Sequence, residues 1–181
     1  MTSSDDGEVL EATAELVRRA WLLLDAAAPR APLRSDQITK LLVRTRTRLC
    51  EYRFGSRAVG MAIPWGPGEH AILIDSHAPR ADYLFTIRHE LAHVLAGEVS
   101  DALFLSAADT MSFSERRADL FAVTDLVPPW LVRQLHGGRR PWSHLRLEVQ
   151  QAFRELTVGW SDERLRDRAR LRVELYRSHE L

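Results

Sequence analysis

The fold of this chain is decided by the stretch Asp82-Tyr-Leu-Phe-Thr-Ile-Arg-His-Glu-Leu-Ala-His-Val-Leu-Ala96, which contains neither glycine nor proline. Its apolar residues recur at helical spacing, so the stretch predicts a helix with one apolar face. The following Gly97 is a suitable residue to end that helix. Within the predicted helix, residues 89–93 read His-Glu-Leu-Ala-His, which is an H-E-x-x-H pattern.

The H-E-x-x-H pattern predicts a zinc site. Residues four apart on a helix lie one turn above each other, so the imidazoles of His89 and His93 can reach one metal ion. Glu90 lies beside His89 and can take a proton from a water molecule that the zinc activates. The alternative interpretation is a chance match on an ordinary amphipathic helix, and the helical context makes it the weaker of the two.

The third metal ligand must come from outside this helix, because a catalytic zinc takes three protein ligands and leaves one position open for water. The arrangement H-E-x-x-H-x-x-G-x-x-H is excluded, since Ala96 and Val99 occupy the positions of its Gly and third His. The other arrangement uses a Glu from a later helix. Glu115 is best placed for this role, because it opens a helix predicted over residues 114–125, which Ser112 or Ser114 would cap.

The neighbouring acidic residues are interpreted from their spacing. Glu98 and Asp101 follow His93 too closely to turn back easily onto the same metal. Asp119 lies four residues after Glu115 on the same helix face, and we expect its carboxylate to accept the outer N–H of a ligating His and so fix the imidazole tautomer. The alternative for both helix carboxylates is a solvated face paired with neighbouring arginines.

Two motifs taken together resemble the ImmA/IrrE family of zinc metallopeptidases. Residues 88–96, Arg-His-Glu-Leu-Ala-His-Val-Leu-Ala, are similar to the motif helix of that family. The family's second motif, Glu-x-x-Ala-Asn/Asp-x-Phe-Ala followed by an apolar-Pro stop, resembles Glu115-Arg-Arg-Ala-Asp-Leu-Phe-Ala122 and then Leu126-Val-Pro128. The resemblance covers about residues 45–135. The chain departs from the family pattern at Ala92, where Gly is usual, and in its N-terminal helix and C-terminal third.

This resemblance implies an activity and a set of site residues. It implies zinc bound by His89, His93 and Glu115, with Glu90 as the catalytic base. Members of the family are typically intracellular proteases that cut a partner transcriptional repressor. The resemblance therefore implies a protein or peptide substrate, for instance a DNA-binding repressor.

The remaining patterns predict an α+β fold in one domain over residues 1–181. We expect a small three-stranded sheet packed on the H-E-x-x-H helix, which is a minimal gluzincin-like core, within about residues 36–135. If the last strand lies at an edge, an extended peptide could add to it and run past the metal. The predicted strands are 45–54, 58–63 and 71–75, with a turn over 64–68; the predicted helices besides those already described are 7–28, 36–43 and 130–136, and a C-terminal helical extension over 139–178 with helices at 142–156 and 162–177.

Composition and charge predict the cellular compartment of the chain and whether it binds nucleic acid or membranes. The 25 basic and 25 acidic residues balance, and the arginines of the last helix are predicted to form a solvated face, so no direct nucleic-acid binding is expected. The single cysteine, Cys50, is predicted to be a buried strand residue in a protein of a reducing compartment. The polar start lacks a secretory signal, and the longest apolar stretch is too short to cross a membrane. These features predict a cytoplasmic protein with no membrane contact.

The donor that would stabilise the developing oxyanion remains open, as does the class of substrate. His144, His136 or Tyr52 could supply the donor after folding, and His144 is the candidate that we retain. Each of the three is also consistent with an ordinary surface residue. Two other functions remain open: a non-proteolytic zinc hydrolase acting on a small amide, and a regulatory binding module with an inactive zinc site.

Overall fold

The computed structural model describes residues 4–25, 33–54, 59–99, 112–136, 141–157 and 160–181. These residues form an α+β fold with seven helices and one three-stranded mixed sheet, which confirms the predicted fold class. The order of elements is α1 (Ser4–Leu23), α2 (Ser35–Arg44), β1 (Thr47–Tyr52), β2 (Gly60–Gly66), β3 (Glu69–Asp75), α3 (Arg80–Ala96), α4 (Phe113–Leu126), α5 (Pro129–His136), α6 (Trp142–Leu156) and α7 (Asp162–His179). None of these helices is both long and apolar enough to cross a membrane.

The three strands lie in the order β1–β3–β2. β1 runs parallel to β3, and β2 runs antiparallel to it. The last strand in the sequence is therefore central, so the condition under which a peptide could add to it is not met. The tight turn at Gly68, which has φ of +70°, pairs β2 with one side of β3 and leaves the other side for β1. Cys50 lies on the edge strand β1 and is half-buried, so the prediction of a buried cysteine is wrong.

Two predicted boundaries shift for local reasons. α1 ends at Leu23 and not at residue 28, because Asp25 adopts a left-handed conformation with φ of 53° that stops the helix. Residues 26–28 of the predicted helix lie outside the described residues. β2 continues to Gly66 through an irregularity in its pairing, so the predicted turn over 64–68 is confined to residues 67–68.

One face of the sheet packs on α3. Ile72 and Ile74 of β3 belong to the same buried core as Ile87 and Leu91 of α3. Residues two apart in a strand share a face, so the alternation along β3 directs both isoleucines toward the helix. This contact places the strands beside the helix that carries the H-E-x-x-H pattern.

Gly60 of β2 lies against Thr86 of α3 with no room for a side chain. A Cβ atom added there would lie 2.3 Å from Cγ2 of Thr86 and 2.9 Å from the carbonyl oxygen of Leu73. We expect Gly60→Ala to lower the free energy of unfolding by about 1–3 kcal/mol, the usual range for overpacking. Urea unfolding would measure this loss. Gly7→Ala on α1 is the matched control, because nothing lies within 4 Å of an added Cβ atom and stability should not fall. Equal stabilities of Gly60→Ala and the wild type would contradict the expectation.

α4 lies between two hydrophobic cores, and its residues 118–124 are all buried. Ala118 and Phe121 face the core formed with the sheet and α3, whereas Leu120 and Val123 face the core formed with α6 and α7. A helix that is buried on all sides shows no single apolar stripe. Ser112 caps α4, as one of the two predicted alternatives, by accepting a hydrogen bond from the backbone N–H of Glu115 at 3.3 Å.

A buried ion pair fixes α3 against α4. Arg88, next to the first His of the motif, pairs with Asp125 near the end of α4, and both side chains are buried. Arg88 also donates hydrogen bonds to the carbonyl oxygens of Leu84 at 2.9 Å and Leu33 at 3.1 Å. These contacts tie α3 to α4 and to the chain segment before α2, which sets the relative position of the two helices that carry the predicted ligands.

The prediction that the arginines of α7 form a solvated face is wrong for two of them. Arg168 and Arg172 are 0% exposed. Arg172 donates two hydrogen bonds, of 3.0 and 2.9 Å, to the carbonyl oxygen of Val127, while Arg168 pairs with Asp119. The physical reason is that α4 presents a buried carboxylate and a free terminal carbonyl group toward α7, and a guanidinium can satisfy both.

Candidate metal centre

The middle of α3 and the first turn of α4 bring three side chains together. The Nε2 atoms of His89 and His93 lie 3.2 Å apart. Oε2 of Glu115 lies 3.2 Å from Nε2 of His89, and its Oε1 lies 3.4 Å from Nε2 of His93. All three residues are shielded from solvent. The residues that the sequence predicts as ligands are thus the residues whose potential ligand atoms converge.

The separations in this group suit a small metal ion. Tetrahedral nitrogen and oxygen ligands at zinc distances of about 2.0–2.1 Å lie about 3.3 Å from one another. The three measured separations of 3.2, 3.2 and 3.4 Å agree with this value. Two imidazoles and one carboxylate also form a common donor set for a metal that keeps one position free for water. His89, His93 and Glu115 can therefore hold a metal ion.

His93 is held at its outer nitrogen by residues that the sequence analysis did not assign. α3 ends at Ala96, and Gly97, with φ of 73°, caps it, which confirms the predicted role of this glycine. The chain reverses there and places Oε2 of Glu98 3.3 Å from Nδ1 of His93. Ser114 donates a hydrogen bond of 2.7 Å to the same carboxylate oxygen, and Arg117 forms an ion pair with it.

Glu98 turns back to the outer nitrogen of His93 and not to the side that faces Glu115, so it lies outside the group of converging ligand atoms, as the sequence analysis expects. A left-handed residue reverses the chain within one position, so the next side chain can return to the last helical turn. The signal was present in the sequence as an acidic residue directly after a capping glycine.

The carboxylate of Asp119 lies next to the outer nitrogen of His89, where the sequence analysis expects a partner for a ligating His. Oδ1 of Asp119 lies 3.0 Å from Nδ1 of His89, and Asp119 is fully buried. The two atoms are close, but they do not form a well-aligned hydrogen bond. Asp119 also pairs with Arg164 and Arg168 of α7, two partners that the sequence analysis missed because they lie about 45 residues away in the chain.

The surrounding carboxylates change the acid–base properties of the group. Burial lowers the pKa of His89, but the carboxylates of Asp119 and Glu115 outweigh this effect and raise its pKa to about 10. Burial raises the pKa of Glu115, but His89 and His93 outweigh it and hold that pKa far below its ordinary value. In the metal-free protein, His89 is therefore charged and Glu115 is ionised at neutral pH.

These shifts predict how the stability of the metal-free protein depends on pH. A group whose pKa rises on folding stabilises the folded state below its unfolded pKa, here 6.5, and loses that effect as pH passes its folded pKa of about 10. We expect the free energy of unfolding to fall between these two pH values when chelator is present. Urea unfolding at several pH values would measure it, and the difference from His89→Gln isolates the contribution of His89. Parallel curves for the two proteins would contradict the assignment.

Glu90 lies between the ligand helix and the sheet. It follows His89 on α3, and its carboxylate accepts a hydrogen bond from the backbone N–H of Ala62 on β2. Burial raises the pKa of Glu90, while the neighbouring His89 and His93 act in the opposite direction. A carboxylate whose pKa lies above its ordinary value is better suited to accept a proton and return it.

Two of the three candidate oxyanion donors, His144 and Tyr52, do not join this group. His144 is exposed near the start of α6. Tyr52 is 55% exposed at the end of β1, with its ring against Phe54. The side chain of His136 lies outside the described residues. The described site therefore contains three potential metal ligands and the neighbouring carboxyl group of Glu90.

The chain matches no model of a known protein family and no curated protein. The interpretation of the site therefore depends on its geometry and on the two sequence motifs.

Proposed function

We propose that this chain is a zinc-dependent metallopeptidase with a gluzincin-type metal centre, similar to the ImmA/IrrE peptidases. His89, His93 and Glu115 would hold the zinc, which when bound would polarise the scissile carbonyl and lower the pKa of the attacking water. The observation that carries the proposal is the convergence of these three side chains at separations of 3.2–3.4 Å beside the carboxyl group of Glu90.

In this proposal Glu90 acts as the general base and then as the general acid. Its carboxylate accepts a proton from the attacking water and returns it to the leaving amine. The hydrogen bond from the N–H of Ala62 holds one end of the carboxylate, and the raised pKa of Glu90 makes it a stronger base for the transfer from the attacking water. Both features support this role, because an acid–base group must be oriented and must exchange its proton near neutral pH.

The open side of β2 supports a peptide as the substrate. The N–H of Asp75 donates a hydrogen bond to the carbonyl oxygen of Val59 at 2.8 Å. In this register the backbone N–H and C=O groups of residues 59, 61 and 63 point toward β3. The alternate residues Gly60 and Ala62 direct their backbone groups to the other side, where Glu90 reaches the N–H of Ala62. In the described part of the chain, β2 pairs with β3 alone. An extended peptide could add to this edge and pass the metal centre.

We further propose that the substrate is a partner protein cut at a specific site, with a repressor-like protein as the candidate that the motif resemblance favours. The exposed side chains of Pro64 and Trp65 near the end of β2 would be among the first to contact a segment that adds to this strand. Aromatic side chains at such positions commonly anchor a bound segment.

The experiment that tests the proposal measures the zinc content of the purified protein and its hydrolysis of candidate repressors, unstructured peptides and small amides. We expect about one zinc per chain, and peptide cleavage that chelator removes and added zinc restores. Zinc with cleavage of small amides alone would identify a non-proteolytic hydrolase. Zinc without any hydrolysis would favour a binding module, and a protein that binds no zinc would refute the metal centre itself.

A further inference from the structure

We infer that α7 is a positioning element of the metal centre, in which Arg164 and Arg168 fix the Asp119 carboxylate so that it orients His89. This inference rests on the proposed metal site and adds residues far outside the two motifs. α7 lies in the C-terminal part of the chain, where the sequence shows no metal-binding pattern.

The Asp119 carboxylate has its hydrogen-bonding capacity divided between the two arginines and His89. Its Oδ2 accepts hydrogen bonds from Nε of Arg164 and Nε of Arg168, both at 2.9 Å. Its Oδ1 accepts one from Nη2 of Arg164 at 2.6 Å and faces Nδ1 of His89 at 3.0 Å. The guanidinium of Arg164 thus donates hydrogen bonds to both oxygens of the carboxylate. Oδ1 can accept one more hydrogen bond, and it faces the imidazole of His89.

A second line of contacts joins Arg164 to the same imidazole. The guanidinium of Arg164 stacks over the ring of Trp160, 4.1 Å from its centroid. Trp160 packs edge-to-face on Phe85 with ring centroids 5.1 Å apart, and the ring of Phe85 lies 5.7 Å from that of His89. The ring of His89 therefore lies against Asp119 at its Nδ1 atom and against the ring of Phe85, and Arg164 is linked to both of these neighbours.

The placement of these charges suggests a role beyond packing. Asp119 and Arg168 are both 0% exposed, and taking such charges out of water costs free energy that an apolar pair of the same size would not require. A neutral imidazole binds a metal ion through one ring nitrogen while its other nitrogen carries the proton, and an acceptor for that N–H fixes the orientation of the ring. A carboxylate that cannot rotate provides such an acceptor for His89, so that Nε2 faces His93 and Glu115.

The test compares the zinc affinity of Arg164→Gln with that of a matched control, Arg170→Gln. Arg170 lies on the same helix but pairs with Asp6 and Asp167 and not with Asp119. We expect Arg164→Gln to weaken zinc binding by about 10–100-fold in a chelator competition, the usual effect of losing an outer partner of a ligand. We expect Arg170→Gln to bind zinc as tightly as the wild type. The absorption spectrum of the Co²⁺-substituted protein should change for Arg164→Gln and not for Arg170→Gln.

A double-variant comparison separates positioning from general stabilisation. If Arg164 acts through Asp119, then Arg164→Gln should change zinc affinity little further once Asp119→Asn is present. Arg164→Lys keeps the positive charge but cannot form the bidentate hydrogen bonds to Asp119, so we expect an intermediate loss of zinc affinity. This variant replaces Arg164→Gln in the comparison if Arg164→Gln does not fold.

Three results would overturn the inference: unchanged zinc affinity in both Arg164 variants, equal losses in Arg164→Gln and Arg170→Gln, or fully additive losses in the double variant. A wild-type protein that binds no zinc would refute the proposed function and this inference with it. Zinc binding by the wild type with unaffected Arg164 variants would refute the inference alone.

Discussion

Replacing Glu90 by glutamine is expected to lower peptide hydrolysis by about 10²–10⁴-fold, the usual contribution of a general acid–base group. Glutamine has nearly the same shape and can still accept the hydrogen bond from the N–H of Ala62, so the fold and the carboxamide position should persist. It cannot accept a proton from water, however, and the reaction loses its base. Single-turnover hydrolysis of a cleaved peptide measures the loss.

Zinc content is the control for this variant. Glu90 does not belong to the group of converging ligand atoms, so Glu90→Gln should still bind about one zinc per chain. Loss of zinc equal to the loss of activity would show that Glu90 supports the structure of the site and is not its base. Hydrolysis at the wild-type rate with zinc bound would remove Glu90 from the mechanism.

Replacing Glu115 by glutamine is expected to weaken zinc binding by more than about 100-fold, beyond the range of about 10–100-fold for residues that only support a ligand. Its two carboxylate oxygens approach Nε2 of His89 and Nε2 of His93, and it is the only anionic member of the group. Loss of this charge removes the strongest attraction for a divalent ion. Chelator competition on the purified variant measures the affinity.

Glu98→Gln is the matched control for Glu115→Gln, because it also removes one carboxylate next to an imidazole. Glu98 contacts the outer nitrogen of His93 and not the side facing the other ligands. We expect the Glu98 variant to lose affinity within the range for supporting residues, and therefore less than the Glu115 variant. The reverse order would show that the two carboxylates have been assigned to the wrong roles.

Local sequence was sufficient to predict which three side chains converge, because the relevant features act over short distances along the chain. His89 and His93 share a helix face through the helical repeat, and Gly97 ends that helix in the conformation that glycine allows. Ser112 starts α4 so that Glu115 lies in its first turn. Each of these features depends on backbone geometry within a few residues, and sequence patterns report such geometry directly.

The environment of Asp119 could not be predicted in the same way. Its four-residue spacing from Glu115 placed it near the ligands, but nothing in the pattern of α7 distinguished Arg164 and Arg168 from solvent-exposed arginines. Those two guanidiniums are buried or nearly so only because α7 packs against α4. Which side chains pair with a buried charge depends on which helices pack together. Helix packing involves residues far apart in the sequence, so a local pattern does not predict these partners.

The sequence by itself determined the helix that carries His89, Glu90 and His93, and it determined the helix that begins next to Glu115, because repeat spacing and capping residues act over a single turn. Only the tertiary structure decided that β3 is central, with β2 at an edge of the sheet that the described residues form, beside Glu90. It also decided that α7 supplies the partners of Asp119. Strand order and helix packing depend on burial of apolar surface summed over the whole chain, so no short pattern specifies them.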